Sequence, residues 1–310
     1  MKTLTQDGIS DGQKKQLTRM IGDIADSELV QEALGALSRK GAERLKGNGG
    51  FVPSLQQFVV EKIAELAVVS EFADEEVTSS YSYLSGYKPK SLHDQTNLFR
   101  KLFPGLKVAS PSLLMQASEN KIPLPANAEG WFAIPNWKKN PNLFGSTYSE
   151  AVQKIFDALK EVRDGAFYNH HDGSIDENHL RQSAKSEEFW KKLAETQGNP
   201  DMLIVAAQFG IRHRGRSVRR ARVIIDDTEG EWGLGVFAAG SMLLTHPERL
   251  QNLNDLWLDL PGDELSPWAT GRFSWSPIFR FSGANRLEFD ANVVSDTGEG
   301  YGSGSVFAPQ

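Results

Sequence analysis

Residues 212–222 read Arg-His-Arg-Gly-Arg-Ser-Val-Arg-Arg-Ala-Arg, with six arginines and a histidine in one short segment. The chain as a whole has a net charge of −6, so everything outside those six arginines carries −12. Guanidinium groups stay charged and repel one another at this spacing, so any fold must set water or anions against them. On a strand, Arg212, Arg214, Arg216, Arg220 and Arg222 share one face, interrupted only by Val218. On a helix opening at Ser217, Arg216, Arg219 and Arg220 cluster while Arg222 turns away. The β-branched run Val223-Ile224-Ile225 favours the strand, and Asp226-Asp227 sits poorly at a helix C-terminus. A strand, or a loop at a strand edge, is therefore expected here.

Three sources of anion compete for the row. Asp226, Asp227, Glu229 and Glu231 follow closely enough to quench it as ordinary surface ion pairs. A nucleic-acid backbone gains from each phosphate neutralised, because counterions are released. A small anionic ligand can be gripped by bidentate arginines. The −12 remainder repels a polyanion at large but leaves room for a focused patch, and no zinc-finger or RRM signature accompanies it. The expected function is a phosphate-engaging, nucleic-acid-binding role, with Arg212, His213, Arg214, Arg216, Arg219, Arg220 and Arg222 as contacts. One alternative places the same arginines at a subunit interface of a homo-oligomer. Another makes them a substrate clamp in an enzyme, beside Asp259, Asp263 or His246.

The chain's 310 residues suffice for about two domains or one large one, and 39% hydrophobic with 24% charged residues is ordinary for a globular protein. The absence of cysteine excludes disulfides, thiolate metal sites and cysteine nucleophiles. The first residues lack a signal peptide's apolar stretch, and the most apolar runs, 202–209 and 234–244, fall short of the roughly 20 residues a bilayer requires. A cytoplasmic protein with no membrane partner is the expectation.

Hydrophobic spacing predicts helices through the first hundred residues, with Ser10, Ser27 and Ser54 as caps and a last helix stopped by Pro104-Gly105. Residues 105–146 are proline-punctuated and carry Trp131 and Trp137, with a short strand at 131–134. Thr147 and Glu150 form a capping box for the next helix, and another is expected from about 176 to 196. Residues 202–209 suit a buried strand, and 256–260 suit another. Alternating apolar residues on either side of Ser282-Gly283-Ala284-Asn285 signal a hairpin. The pattern is α+β: a helical region (1–104), a Pro/Trp-containing connection (105–146) and a C-terminal α+β domain (147–310) with a mixed or antiparallel sheet.

Other constellations are weaker. His170, His171 and His179 lie near Asp172 and Glu177, but at no defensible metal-ligand spacing, so no metal is expected. Residues 233–238, Gly-Leu-Gly-Val-Phe-Ala, match a relaxed dinucleotide fingerprint, yet the acidic, turn-like residues before them and the lack of βαβ texture argue against it. No cofactor is expected. The glycines are better explained as letting a buried helix pack closely. Asp259, Asp263 and Glu264 flank a Pro-Gly turn and could act as paired carboxylates or simply as turn residues. Trp131, Trp137 and Lys138-Lys139 offer a stacking surface for a nucleic-acid strand, against which core packing is the simpler reading.

Overall fold

A computed structural model describes residues 71–107 and 122–308. These fall within one compact unit, Val69–Gln310. The helices expected within residues 10–66 lie outside the described residues. In chain order the elements begin with α1 (Leu92–Leu102), β1 (Gly130–Pro135), α2 (Pro141–Phe144) and α3 (Tyr148–Val162). There follow β2 (Phe167–Asn169), β3 (Leu180–Gln182), α4 (Ala184–Thr196), β4 (Met202–Arg214) and α5 (Val218–Asp227). The last are β5 (Glu231–Gly233), α6 (Val236–Thr245), β6 (Leu258–Asp259), β7 (Asp263–Leu265), β8 (Trp275–Ser282), β9 (Arg286–Val293) and β10 (Gly302–Phe307).

The ten strands form one mixed sheet along the path β1-β4-β10-β6-β8-β7-β3, with β5 on β10, β9 on β8 and β2 on β9. β10 runs antiparallel to β4 and β5 and parallel to β6, and all six of its residues are buried. β2 is parallel to β9, and the remaining pairs are antiparallel. The fold is α+β. β8 and β9 form the expected hairpin, with Asn285 in the left-handed region at φ 57° where a tight turn needs it.

Local chemistry explains the helices that position the site. The Thr147 side chain accepts the Glu150 N–H while the Glu150 carboxylate accepts the Thr147 N–H, so α3 opens on a complete capping box. Its stripe of Val152, Ile155, Phe156 and Leu159 is buried in a continuous core with Phe279 and Phe289 of the sheet. α6 carries no charged residue, and every one of its residues is buried, the Ser241 and Thr245 hydroxyls donating to carbonyls of the helix itself. Residues 71–90 form an irregular strap with no fully buried side chain, tied down by bonds such as Leu84 N–H to Asp255 and Lys90 N–H to His246 Nε2.

Two expectations are corrected. The strand through residues 212–222 ends at Arg214, and α5 takes over from Val218. Gly215, at φ 76°, breaks the strand, and a Cβ there would lie 2.1 Å from the Val77 carbonyl oxygen of the strap. Ser217 then caps the helix by accepting the Arg220 N–H, and Val218, Ala221, Ile224 and Ile225 are buried along one face. Burial of that face outweighs the β preference of 223–225. The helix expected from about 176 starts only at Ala184. The Asp176 side chain accepts the N–H groups of Asn178 and His179 in a turn, and residues 180–182 then pair with β7 before Ser183 caps α4.

Candidate functional site

The break at Gly215 distributes the arginines among different partners. Arg212 donates from Nε to both oxygens of Glu231, at 2.9 and 3.1 Å. Arg214, exposed at the end of β4, donates to the Tyr81 carbonyl at 3.1 Å. Arg216 and Arg220 share the Glu76 carboxylate, and Arg219 takes Glu75 through Nε and Nη2 while its guanidinium lies 4.0 Å from the Phe72 ring centre. Ser217 Oγ also donates to Glu75, at 2.6 Å. Arg222 donates to the carbonyls of Pro261 and Asp263. Of the four acids downstream, Glu231 receives an arginine, whereas Asp226 pairs with Lys185 at 2.6 Å. Glu75 and Glu76 come from about 140 residues upstream, and no local pattern reveals them.

His213 is wholly buried, and it accepts from Arg216 Nη1 at Nδ1 while Nε2–H donates to Glu231. Burial pushes its pKa down, aided by Arg212 and Arg216 and opposed by Glu231. A neutral ring fits this geometry. Burial pushes the Glu231 carboxyl up, yet His213, Arg212 and the Ser305 hydroxyl together hold it below its usual range.

The other sequence candidates are dispersed. His170 pairs with Glu288, His171 with Asp290 and His179 with Asp176. Among the described residues, no three His, Asp or Glu side chains are placed to hold one metal ion. Glu264 pairs with Arg181 at the surface. Asp259 is fully buried, and neither of its oxygens has a hydrogen-bond partner among the described residues. Burial pushes its pKa up to about 7, with Asp296 adding to the rise. His246 accepts the Lys90 N–H in the core, and burial pushes it down to about 4, so it is neutral.

Asp263 belongs to a different setting. It lies beneath the start of α6, where Oδ2 accepts the Val236 N–H at 2.7 Å and the Tyr148 hydroxyl at 2.5 Å. The Tyr148 oxygen in turn accepts the Phe237 N–H at 3.2 Å. Burial raises the Asp263 pKa to about 7 against these stabilising contacts. The glycines of the 233–238 motif serve this packing. A Cβ on Gly233 would lie 2.6 Å from the Gly262 nitrogen, and one on Gly235 would lie 2.5 Å from Asp263 Oδ1. The helix N-terminus that a pyrophosphate would occupy is thus capped by the chain's own carboxylate and hydroxyl.

Beside this cap opens a cavity of about 270 Å³. Tyr148, Gly235 and Phe237 line one side, the turn after β1 with Trp137 another, and Trp190 and Ala194 of α4 a third. The Trp137 and Tyr148 rings stand 5.9 Å apart and tilted by 52°. Polar groups gather at the edges: Asn136 donates to Asn199, and Lys138 pairs with Glu187 at 2.7 Å. Trp137 and Lys138 were legible as a stacking candidate. Trp190 and Tyr148 were not, because each reads as one more residue on a helix. Their signal is aromatic excess on helix faces that already have a complete apolar stripe.

Arrangements of this kind hold small molecules, because flat apolar walls give up water cheaply while a few polar edge groups set orientation. Among the described residues, no helix is long and apolar enough to cross a membrane. No protein-family model, curated protein or solved structure matches the chain.

Proposed function

We propose that this protein binds a small, flat, largely apolar molecule in the cavity between α3, α4, α6 and the turn after β1. The observation that carries the reading is that Trp137, Tyr148, Trp190 and Phe237 converge on an open space of about 270 Å³ instead of closing it. Such a volume lies near the lower end of the roughly 300–1,000 Å³ common for ligand sites. It suits a one- or two-ring aromatic better than a dinucleotide. Asn136 and Lys138 at the edge supply the polar contacts that would orient such a ligand.

Ligand-observed NMR with phenol, indole and quinoline tests the reading. Saturable binding of at least one is expected, weakened about tenfold or more in Trp190→Ala, in line with the energy of an aromatic contact plus its buried area. Absence of saturable binding to all three, or equal binding by Trp190→Ala, would overturn it.

A further inference from the structure

We propose that the N-terminus of α5 is a phosphate-binding clasp which the strap keeps filled with the carboxylates of Glu75 and Glu76, and that a polyanion with closely spaced phosphates displaces them. The clasp has the parts such a site needs. Arg216, Arg219 and Arg220 converge with the Ser217 hydroxyl at the opening turn of a ten-residue helix. Guanidinium forks and a hydroxyl at a helix N-terminus suit tetrahedral oxyanions. The internal carboxylates occupy the positions of phosphate oxygens. Glu75 meets Arg219 side-on through Nε and Nη2, and Glu76 bridges Arg216 and Arg220. Among the described residues, these three guanidiniums meet the carboxylates of Glu75 and Glu76 directly, with Asp74 adding a longer-range attraction on Arg219.

The occupant is lightly attached. No side chain of residues 71–79 is fully buried, and Glu71, Ala73, Asp74, Val77 and Thr78 are exposed. Its backbone is held here by Val77 N–H to the Gly215 carbonyl and by Ser217 N–H to the Glu75 carbonyl. Phe72 sits at φ 65°, a left-handed conformation uncommon for a bulky residue. The arginines beneath are anchored differently. Arg216 donates from Nη1 to the Arg212 carbonyl and to His213, and Arg220 is among the buried residues of α5. Exchange of strap carboxylates for ligand phosphates therefore leaves the clasp standing and conserves charge pairing, with little apolar surface exposed. Arg214, two residues before Arg216, stands exposed at the end of β4 and adds a further positive group beside the strap, where it donates to the Tyr81 carbonyl.

The test uses the full chain with two probes, a fluorescein-labelled twenty-nucleotide oligothymidine and inorganic tripolyphosphate. Glu75→Gln combined with Glu76→Gln is expected to bind at least one probe about tenfold or more tightly than the parent, with affinity falling steeply as salt rises. Arg219→Gln in that background should reverse the gain. Tightening for tripolyphosphate alone assigns the clasp to free polyphosphates, and tightening for both assigns it to backbone phosphates generally. No tightening for either probe in a folded double variant overturns the proposal. Hydrogen exchange on the unaltered protein keeps it falsifiable if that variant misfolds. At low salt, saturating tripolyphosphate should accelerate exchange at the Val77 amide, and an unchanged rate would overturn the proposal equally.

Discussion

Glu231 and Asp263 are both fully enclosed carboxylates near the sheet, yet their surroundings push them in opposite directions. Glu231 sits under Arg212, His213 and Ser305 and is held below the usual carboxylate range. Asp263 meets a tyrosine hydroxyl and a helix N–H, with Arg222 reaching only its backbone carbonyl, and rises to about 7. Burial alone therefore does not decide the charge of a carboxylate; the partners that burial brings along do. The same contrast separates the two regions. The arginine segment is dense in charge and internally saturated, whereas the cavity beside Asp263 is poor in charge and retains room for a guest.

The largest effect should come from breaking the saturated side. Glu231→Ala removes the carboxylate that the buried His213 and the largely enclosed Arg212 both meet, a loss of about 3–5 kcal/mol. Chemical denaturation at pH 7 would measure it, and a loss below about 1 kcal/mol would show that the network is not holding the fold.

The two kinds of carboxylate also predict opposite pH windows. Glu231, depressed, contributes stability above its unfolded pKa near 4.5 that disappears as pH falls through its folded value. Asp259 and Asp263, raised from 3.8 to about 7, favour folding while protonated, and that contribution is lost as pH rises from about 4 through 7. At about 1.4 kcal/mol per pKa unit, the Asp259 swing is roughly 4 kcal/mol. Asp259→Asn should remove about half of the decline between pH 4 and 7, the rest belonging to Asp263, and an unchanged slope in thermal melts would refute the assignment.

The smallest effect probes the cavity wall. Tyr148→Phe removes the hydroxyl between Phe237 N–H and Asp263, at a cost of about 1–2 kcal/mol at pH 7. Differential scanning calorimetry on both proteins would report it, and a neutral result would mean the hydroxyl adds nothing to the Asp263 cap.

The reach of sequence reasoning follows interaction range. The capping box at Thr147 and Glu150, the hairpin around Asn285 and the buried strand from residue 202 depend on neighbours within a few positions, and all are present. The arginine row failed as a strand because Gly215 is required by a backbone approach from Val77, which no local window contains. Among the described residues, the carboxylates paired with Arg216, Arg219 and Arg220 are Glu75 and Glu76, whereas local spacing points to Asp226, Asp227, Glu229 and Glu231, of which Glu231 takes Arg212. The cavity was hidden for a related reason. Trp190 and Tyr148 lie on separate helices, and their meeting depends on how α3 and α4 dock.

The placement of β10 carries a kinetic consequence. Residues 302–307 are the seam between β4, β5 and β6, which lie 40 to 100 positions earlier. Until that segment arrives, the middle of the sheet has three unsatisfied edges and nowhere to zip them. During synthesis the earlier strands must wait exposed, so folding of this chain is governed by the closing of long loops more than by the local helices that form first. A ribosome-bound intermediate lacking the seam is accordingly the species most in need of protection from aggregation.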